Sequence, residues 1–242
     1  MGTRGLVAVC KNGEYKIAQY NQFDSYPSCL GVKILDFLKK IINNNTLTDF
    51  TKNLNLLKSV DDDEYRKLWE DLGIKSNNGF VSMEESEKFY NKYPYLERTS
   101  IMDLLDAIVK INGEIIIKKD IDFAKDSLFC EWGYVIDLDH RYLEIYKGFN
   151  KKKLYPEDRF YFDGYFENEY YPIKFIARYD FDSLPKSNTL IELQEKIEQE
   201  EDEEELEKKS DWIPLFKCPK CGRITEEKEK YCPECGRKNI RY

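Results

Sequence analysis

Apolar and polar positions along the first 185 residues alternate between strand and helix periods, and this patterning sets the expected elements. Arg4 to Cys10 (RGLVAVC) is a short apolar run. Lys11-Asn12-Gly13-Glu14 follows, and Asn-Gly marks a tight hairpin turn because both residues tolerate positive φ. Tyr15 to Tyr20 alternates as a return strand does. This predicted hairpin empties into a loop, Asn21 to Tyr26, punctuated by Pro27 and Gly31. From Val32 to Asn44, Ile34, Leu35, Leu38, Ile41 and Ile42 recur at helical spacing. Leu47 to Val60 reads as a second helix. Asp61 caps a third, in which Tyr65, Leu68, Trp69 and Leu72 share a face, acids fill the first turn and Gly73 stops the run. Ser82 with Glu85 forms a capping box for a fourth helix ending at Tyr93-Pro94. Ser100 with Asp103 opens a fifth, which carries Ile101, Leu104, Leu105 and Ile108 and stops at Asn112-Gly113.

Strand signals then return. Ile115 to Ile117 is a short strand. Leu128 to Leu138 is long and extended, Asp139-His140 makes a turn, and Tyr142 to Tyr146 comes back. Arg159 to Phe166 and Tyr171 to Tyr179 are two further extended pieces. Strands early and late with helices between them indicate an α+β fold, with a mostly antiparallel sheet and helices packed on it.

The composition changes after Leu184-Pro185. Thr189 with Glu192 is another capping box, and Leu190 to Lys209 holds ten acids against three lysines. The organisation is therefore an α+β domain over residues 1–185, an acidic helical linker over 186–211 and a small C-terminal module over 212–242.

Charge and cysteine content narrow the function. The 242 residues carry a net charge of -8, which argues against nonspecific binding of nucleic acid by the whole chain. A single His withholds the usual general base from most sites. Three of the seven cysteines, Cys10, Cys29 and Cys130, are scattered and read as reduced core residues. Neither an apolar leader nor an apolar span of membrane length is visible, so a soluble, cytoplasmic protein without membrane partners is expected.

The other four cysteines stand as Cys218-x2-Cys221, ten residues, then Cys232-x2-Cys235, each half reading Cys-Pro-x-Cys-Gly. Two thiolates on one tight turn reach the same ion, and a glycine after the second lets the backbone curl so that amides face sulfur. This segment resembles the zinc ribbon or rubredoxin-like family. The resemblance implies zinc held by Cys218, Cys221, Cys232 and Cys235. Four cysteines leave no open position, so the expected ion is structural; iron has the same spacing and stays as the alternative. From Trp212 to Tyr242 eight Lys or Arg face four Glu, so contact between a basic ribbon and nucleic acid is a further reading.

The N-terminal stretch is the candidate for activity. Asn21, Gln22, Asp24, Ser25 and Tyr26 crowd hydrogen-bonding side chains into one loop, and Arg4 is placed to pair with Asp24 or clamp an anion. The expected partner is a protein or a small polar ligand bound through Arg4, Asn21, Gln22, Asp24 and Tyr26. The alternative is a turn that bonds its own backbone. The layout Gly2-Thr3, strand, Asn-Gly turn, strand and polar loop also resembles the start of N-terminal nucleophile hydrolases. That resemblance implies an amide hydrolase with Thr3 as nucleophile, once freed as a chain terminus, its own amine serving as base. Gly2 to Gly5, Tyr20 to Pro27 and Glu131 to Gly148 together resemble a group of uncharacterised microbial and phage proteins, which implies a shared fold and no reaction. Whether the chain is an enzyme stays open at this point. Ser76 to Glu85 is similar to an EF-hand loop but lacks the first carboxylate, so it is expected to bind calcium poorly.

Overall fold

The computed structural model describes residues 2–74, 81–111, 113–164, 169–210, 215–218, 220–226 and 234–236. The chain divides into two compact units, residues 1–192 and 193–242.

Unit 1 is α+β. Strands β1 (Gly5–Lys11) and β2 (Glu14–Asn21) form the expected hairpin. Its Asn12-Gly13 turn has φ of 55° and 71°, the two positive values that a type I′ turn demands. A wide turn at Pro27–Gly31, closed by the Gly31 N–H donating to the Tyr26 carbonyl at 3.2 Å, leads into α1 (Val32–Asn43). Then come α2 (Leu47–Asn53), β3 (Leu57–Val60), α3 (Asp62–Glu70), α4 (Met83–Lys92), α5 (Ile101–Lys110) and β4 (Ile115–Lys118). The chain returns to the main sheet through β5 (Trp132–Asp137), β6 (Tyr142–Lys147) and β7 (Lys174–Asp180), and α6 (Ser187–Ser210) follows.

The main sheet has the order β2-β1-β5-β6-β7. Three of its pairings are antiparallel, but β1 and β5 run parallel, from Gly5 opposite Trp132 to Cys10 opposite Asp137. The whole helical segment is the crossover that a parallel pair requires. One face carries Tyr134 and Gln19. It meets Gly31, whose added Cβ would lie 3.0 Å from the Tyr134 ring, and Ser100 at the start of α5. The other face carries Leu6, Ala8, Cys10, Val135 and Tyr146, covered by Ala124, Cys130, Phe160 and Ile173. A strand covered on both faces has no polar side to show, which is why β1 reads as an unbroken apolar run. A second cluster joins Val60, Ile74, Phe89 and Leu96, with Trp69 stacked on Phe89 at 3.7 Å.

Local signals were followed closely. Asp61 with Glu64 and Ser82 with Glu85 both make reciprocal capping boxes. Elsewhere the pattern misled. The helix expected over Leu47 to Val60 ends at Asn53, whose side-chain amide donates to the Ile108 carbonyl at 2.8 Å; Leu57–Val60 becomes a strand paired in parallel with Ile115–Lys118. Ser100 does not cap α5, because its hydroxyl turns back to donate to Glu97 O at 2.7 Å. Leu128 to Glu131 is a turn rather than strand. Residues 159–164 form no strand either, the side chain of Arg159 being drawn instead into an ion network. Helix α6 begins at Ser187, ahead of the Thr189 cap. Of the EF-hand-like stretch, Ser76 to Phe80 lies outside the described residues.

Unit 2 contains a short antiparallel pair, β8 (Leu215–Lys217) with β9 (Ile224–Glu226).

Candidate functional site

The N-terminal loop is largely occupied with holding itself. Ser25 is fully buried; its N–H donates to Thr3 O at 3.1 Å, its carbonyl accepts from the Tyr134 hydroxyl at 2.8 Å, and its hydroxyl accepts from the Asn21 amide at 2.9 Å. Asn21 also donates to the Phe23 carbonyl. Gln22 accepts from the Tyr20 hydroxyl, Asp24 is exposed at a φ of 53°, and Tyr26 is exposed. Thr3 is buried beneath the loop, 2% exposed. Gly5 is required here, since a Cβ would come within 2.7 Å of both Ser25 and the Trp132 carbonyl.

Arg4 points the way out of this loop. It lines a polar cleft of about 660 Å³ with residues that its sequence surroundings do not mark: Gln19, Tyr20, Arg98, Asp126 and Phe129. The Arg4 guanidinium lies 4.6 Å from the centre of the Phe129 ring, and that of Arg98 lies 5.3 Å from the Tyr20 ring. Burial pushes the Tyr20 phenol up, while Arg98 and Arg4 both pull it back, so the two guanidiniums act on one hydroxyl. On the same walls Lys118 is neutralised by Asp62 at 2.9 Å and Asp120 at 3.6 Å.

Gln19 sits at a buried place in this wall. Its amide N–H groups donate to Glu97 O at 3.0 Å and Ser100 Oγ at 3.1 Å. Because the Ser100 hydroxyl already spends its proton on Glu97 O, it accepts from Gln19, and this fixes which end of the amide is nitrogen. The carbonyl Oε1 is left without a partner, as is Asp126 Oδ1.

A second polar cluster lies on the sheet face that carries Cys10. Arg159 pairs with Asp137 and, through Nε at 2.7 Å, with Glu144; Arg178 reaches the other Glu144 oxygen at 2.7 Å, and the Tyr146 hydroxyl donates to Glu144 at 2.9 Å. Both carboxylates are almost wholly buried. Burial pushes the Asp137 carboxyl up, but the His140 backbone N–H, the Arg159 guanidinium and the His140 ring outweigh it and leave the group below its ordinary value. Every charge here has a partner, so the cluster holds structure together and offers no free group for chemistry. His140, the sole histidine, bonds Asp137 at 3.1 Å from an exposed turn.

The candidate metal centre is in unit 2. The sulfurs of Cys218, Cys221 and Cys235 lie within 4.8 Å of one another, with Cys218 and Cys235 3.5 Å apart. Tetrahedral sulfurs at about 2.3 Å from an ion stand roughly 3.8 Å from each other. The Cys221 and Lys220 backbone N–H groups bond the Cys218 sulfur and lower its thiol to about 6, favouring the thiolate a metal needs. Gly222 and Gly236 have φ of 75° and 64°, the curl expected after each second cysteine. Cys232 lies outside the described residues.

Compared with known proteins, the chain matches no protein-family model, no curated protein and no solved structure. No helix among the described residues is long and apolar enough to cross a membrane.

Proposed function

We propose that the protein is a zinc-stabilised binding protein whose α+β unit takes a small polar ligand in the cleft reached by Arg4. The observation that carries the reading is the pair of guanidiniums on one polar cleft, Arg4 over the Phe129 ring and Arg98 over the Tyr20 ring, with no carboxylate bonded to either guanidinium among the described residues. A guanidinium that rests on a ring face keeps its edge free to hydrogen-bond an anionic or polar ligand. Relative to the sequence-based expectation, the binding surface moves from the side chains of Asn21, Gln22, Asp24 and Tyr26 to the wall behind them, and Arg4 belongs to both. A thermal-shift screen of small polar metabolites tests the reading. At least one compound is expected to raise the melting temperature of wild type and to do so less for Arg4→Gln; a screen without any hit overturns it.

The second element is a zinc ribbon in which Cys218, Cys221, Cys232 and Cys235 hold one structural ion. The three clustered sulfurs and the two left-handed glycines support it. With four thiolates the ion has no place for water or substrate; it stabilises a module too small for a core of its own. Metal analysis is expected to find about one zinc per chain. Cys218→Ser combined with Cys221→Ser releases it, and stoichiometric zinc in that variant refutes the assignment.

A further inference from the structure

The turn that leaves β6 is held in a costly conformation. Phe149 has a φ of 50°, and it is the one aromatic residue in the left-handed region among the described residues; a bulky side chain enters that region only where its surroundings force it. Here they do. The N–H groups of Gly148 and Phe149 donate to Glu131 O at 2.8 Å and Ser127 O at 2.7 Å, and that of Asn150 donates to Ser127 Oγ at 3.1 Å. A Cβ at position 148 would fall 2.1 Å from the Cys130 carbonyl oxygen, so glycine is required there. The Asn150 side-chain amide, 2% exposed, donates to Lys152 O at 2.8 Å and Pro172 O at 2.9 Å. This framework holds up a ring that is not packed away: Phe149 is 44% exposed, so core packing does not account for the strain. Cations and rings alternate around it. Lys147 Nζ lies 4.8 Å from the centre of the Phe149 ring, that ring meets Tyr170 edge-on at 6.4 Å, and Lys151 Nζ lies 5.3 Å from the centre of the Tyr170 ring. Residues 147–153 read KGFNKKK, four lysines and no acid. Lys151, Lys152 and Lys153 are exposed and make no ion pair among the described residues.

We infer that this turn binds a short single-stranded nucleic acid, one base stacking on Phe149 and the neighbouring phosphates taken by Lys151, Lys152 and Lys153. A rigid exposed ring stacks on any base, and flexible lysines follow a phosphate backbone. A duplex keeps its bases covered, and an anionic bilayer offers charge without a planar face, so neither uses both parts of the patch. The chain's net charge of -8 opposes long polyanions, and the exposed acids Glu157 and Glu169 border the segment in sequence; the footprint is therefore a few nucleotides. The site is separate from the cleft reached by Arg4, whose walls hold none of these side chains.

Fluorescence anisotropy of the full-length protein with a labelled oligothymidylate of about 12 nucleotides tests the assignment across roughly 50 to 200 mM salt. Binding is expected, with log K falling against log salt at a slope near −2, since three phosphate contacts contribute about 0.7 each on a single strand. Phe149→Asn, a residue at ease with a positive φ, should keep the melting temperature of wild type and weaken binding about tenfold or more. Lys152→Gln with Lys153→Gln, both at exposed positions, should leave a slope of about −0.7. Binding that neither variant weakens overturns this site and passes to the basic C-terminal segment. Equal affinity for a duplex of the same sequence overturns stacking on Phe149. A preference for phosphatidylserine vesicles over the oligonucleotide, lost in the same lysine variant, overturns the nucleic acid in favour of a membrane surface. Absence of any binding at the lowest salt overturns the assignment outright.

Discussion

Replacing Arg159 by Met takes the shared cation away from two acids that water hardly reaches. The Asp137 and Glu144 side chains are 2% and 1% exposed, and Arg159 bonds both. Breaking a buried pair by deleting one partner costs about 3–5 kcal/mol, because the remaining charge has no solvent to replace what it lost. Two features place the expected loss near the lower bound. Glu144 keeps Arg178 and the Tyr146 hydroxyl, although Arg178 is half exposed and counts for less. Asp137 keeps the backbone N–H groups of Asp139 and His140 at 3.0 and 2.9 Å. A loss of about 3 kcal/mol corresponds to roughly 6–12 °C in melting temperature for a domain of this size. Urea unfolding followed by tryptophan fluorescence measures it. The same substitution made in an Asp137→Asn, Glu144→Gln background strands no charge, so there it should cost less than about 1 kcal/mol. Equal losses in the two backgrounds, or a single-variant loss below about 1 kcal/mol, refute the view that Arg159 acts by neutralising these carboxylates.

The same network gives the α+β unit an acid limit. Asp137 is held below its ordinary value, so its stabilising contribution is intact above the unfolded carboxylate value of about 4 and drains away as pH falls through the lower folded value. Melting temperature measured across that acid range should fall with a shallower slope in Asp137→Asn than in wild type, and superimposed slopes would remove Asp137 as the cause. The amide-hydrolase reading of Thr3 requires a chain that starts at that residue. Intact mass spectrometry of purified protein decides it: a species beginning at Thr3 supports the nucleophile, and a mass retaining Gly2 excludes it. Chelation of the metal should unfold unit 2 and leave the Trp69-Phe89 stack of unit 1, read by near-ultraviolet circular dichroism, unchanged; loss of that signal on chelation would contradict two separate units.

What the sequence disclosed were the features decided by neighbours. The Asn12-Gly13 turn, the Asp61 cap and the Ser82-Glu85 capping box are settled within four residues of chain, and they are found where the pattern puts them; the capping box read at Thr189 is not, since its helix already begins at Ser187. The α+β class and mostly antiparallel sheet followed from the order of periodic segments. Features decided at a distance stayed hidden. Nothing within RGLVAVC announces a parallel partner at Trp132–Asp137, and Leu57–Val60 becomes strand only because Ile115–Lys118 lies beside it. Arg159 looked like the start of a strand, since its two acids arrive from β5 and β6. The cleft was legible through Arg4 alone. Gln19 is an ordinary polar position in an alternating strand, and its importance appears once Glu97 and Ser100 have claimed its nitrogen.

The parallel pairing of β1 with β5 also sets how late in synthesis the sheet can be completed. The sheet's first strand in chain order occupies an inner position, and one of its two neighbours is synthesised last but two among the sheet's strands. Asp139, which accepts from the Asn12 N–H, is 127 residues downstream of it. Until that point the hairpin has only its own two strands, and an isolated hairpin is marginal in water. Chain closure over so long a segment makes folding slow, and the apolar edge of β1 meanwhile stands open to another chain. Expression at low temperature or with chaperones that shield nascent strands should therefore raise the yield of native protein more than any gain in final stability does.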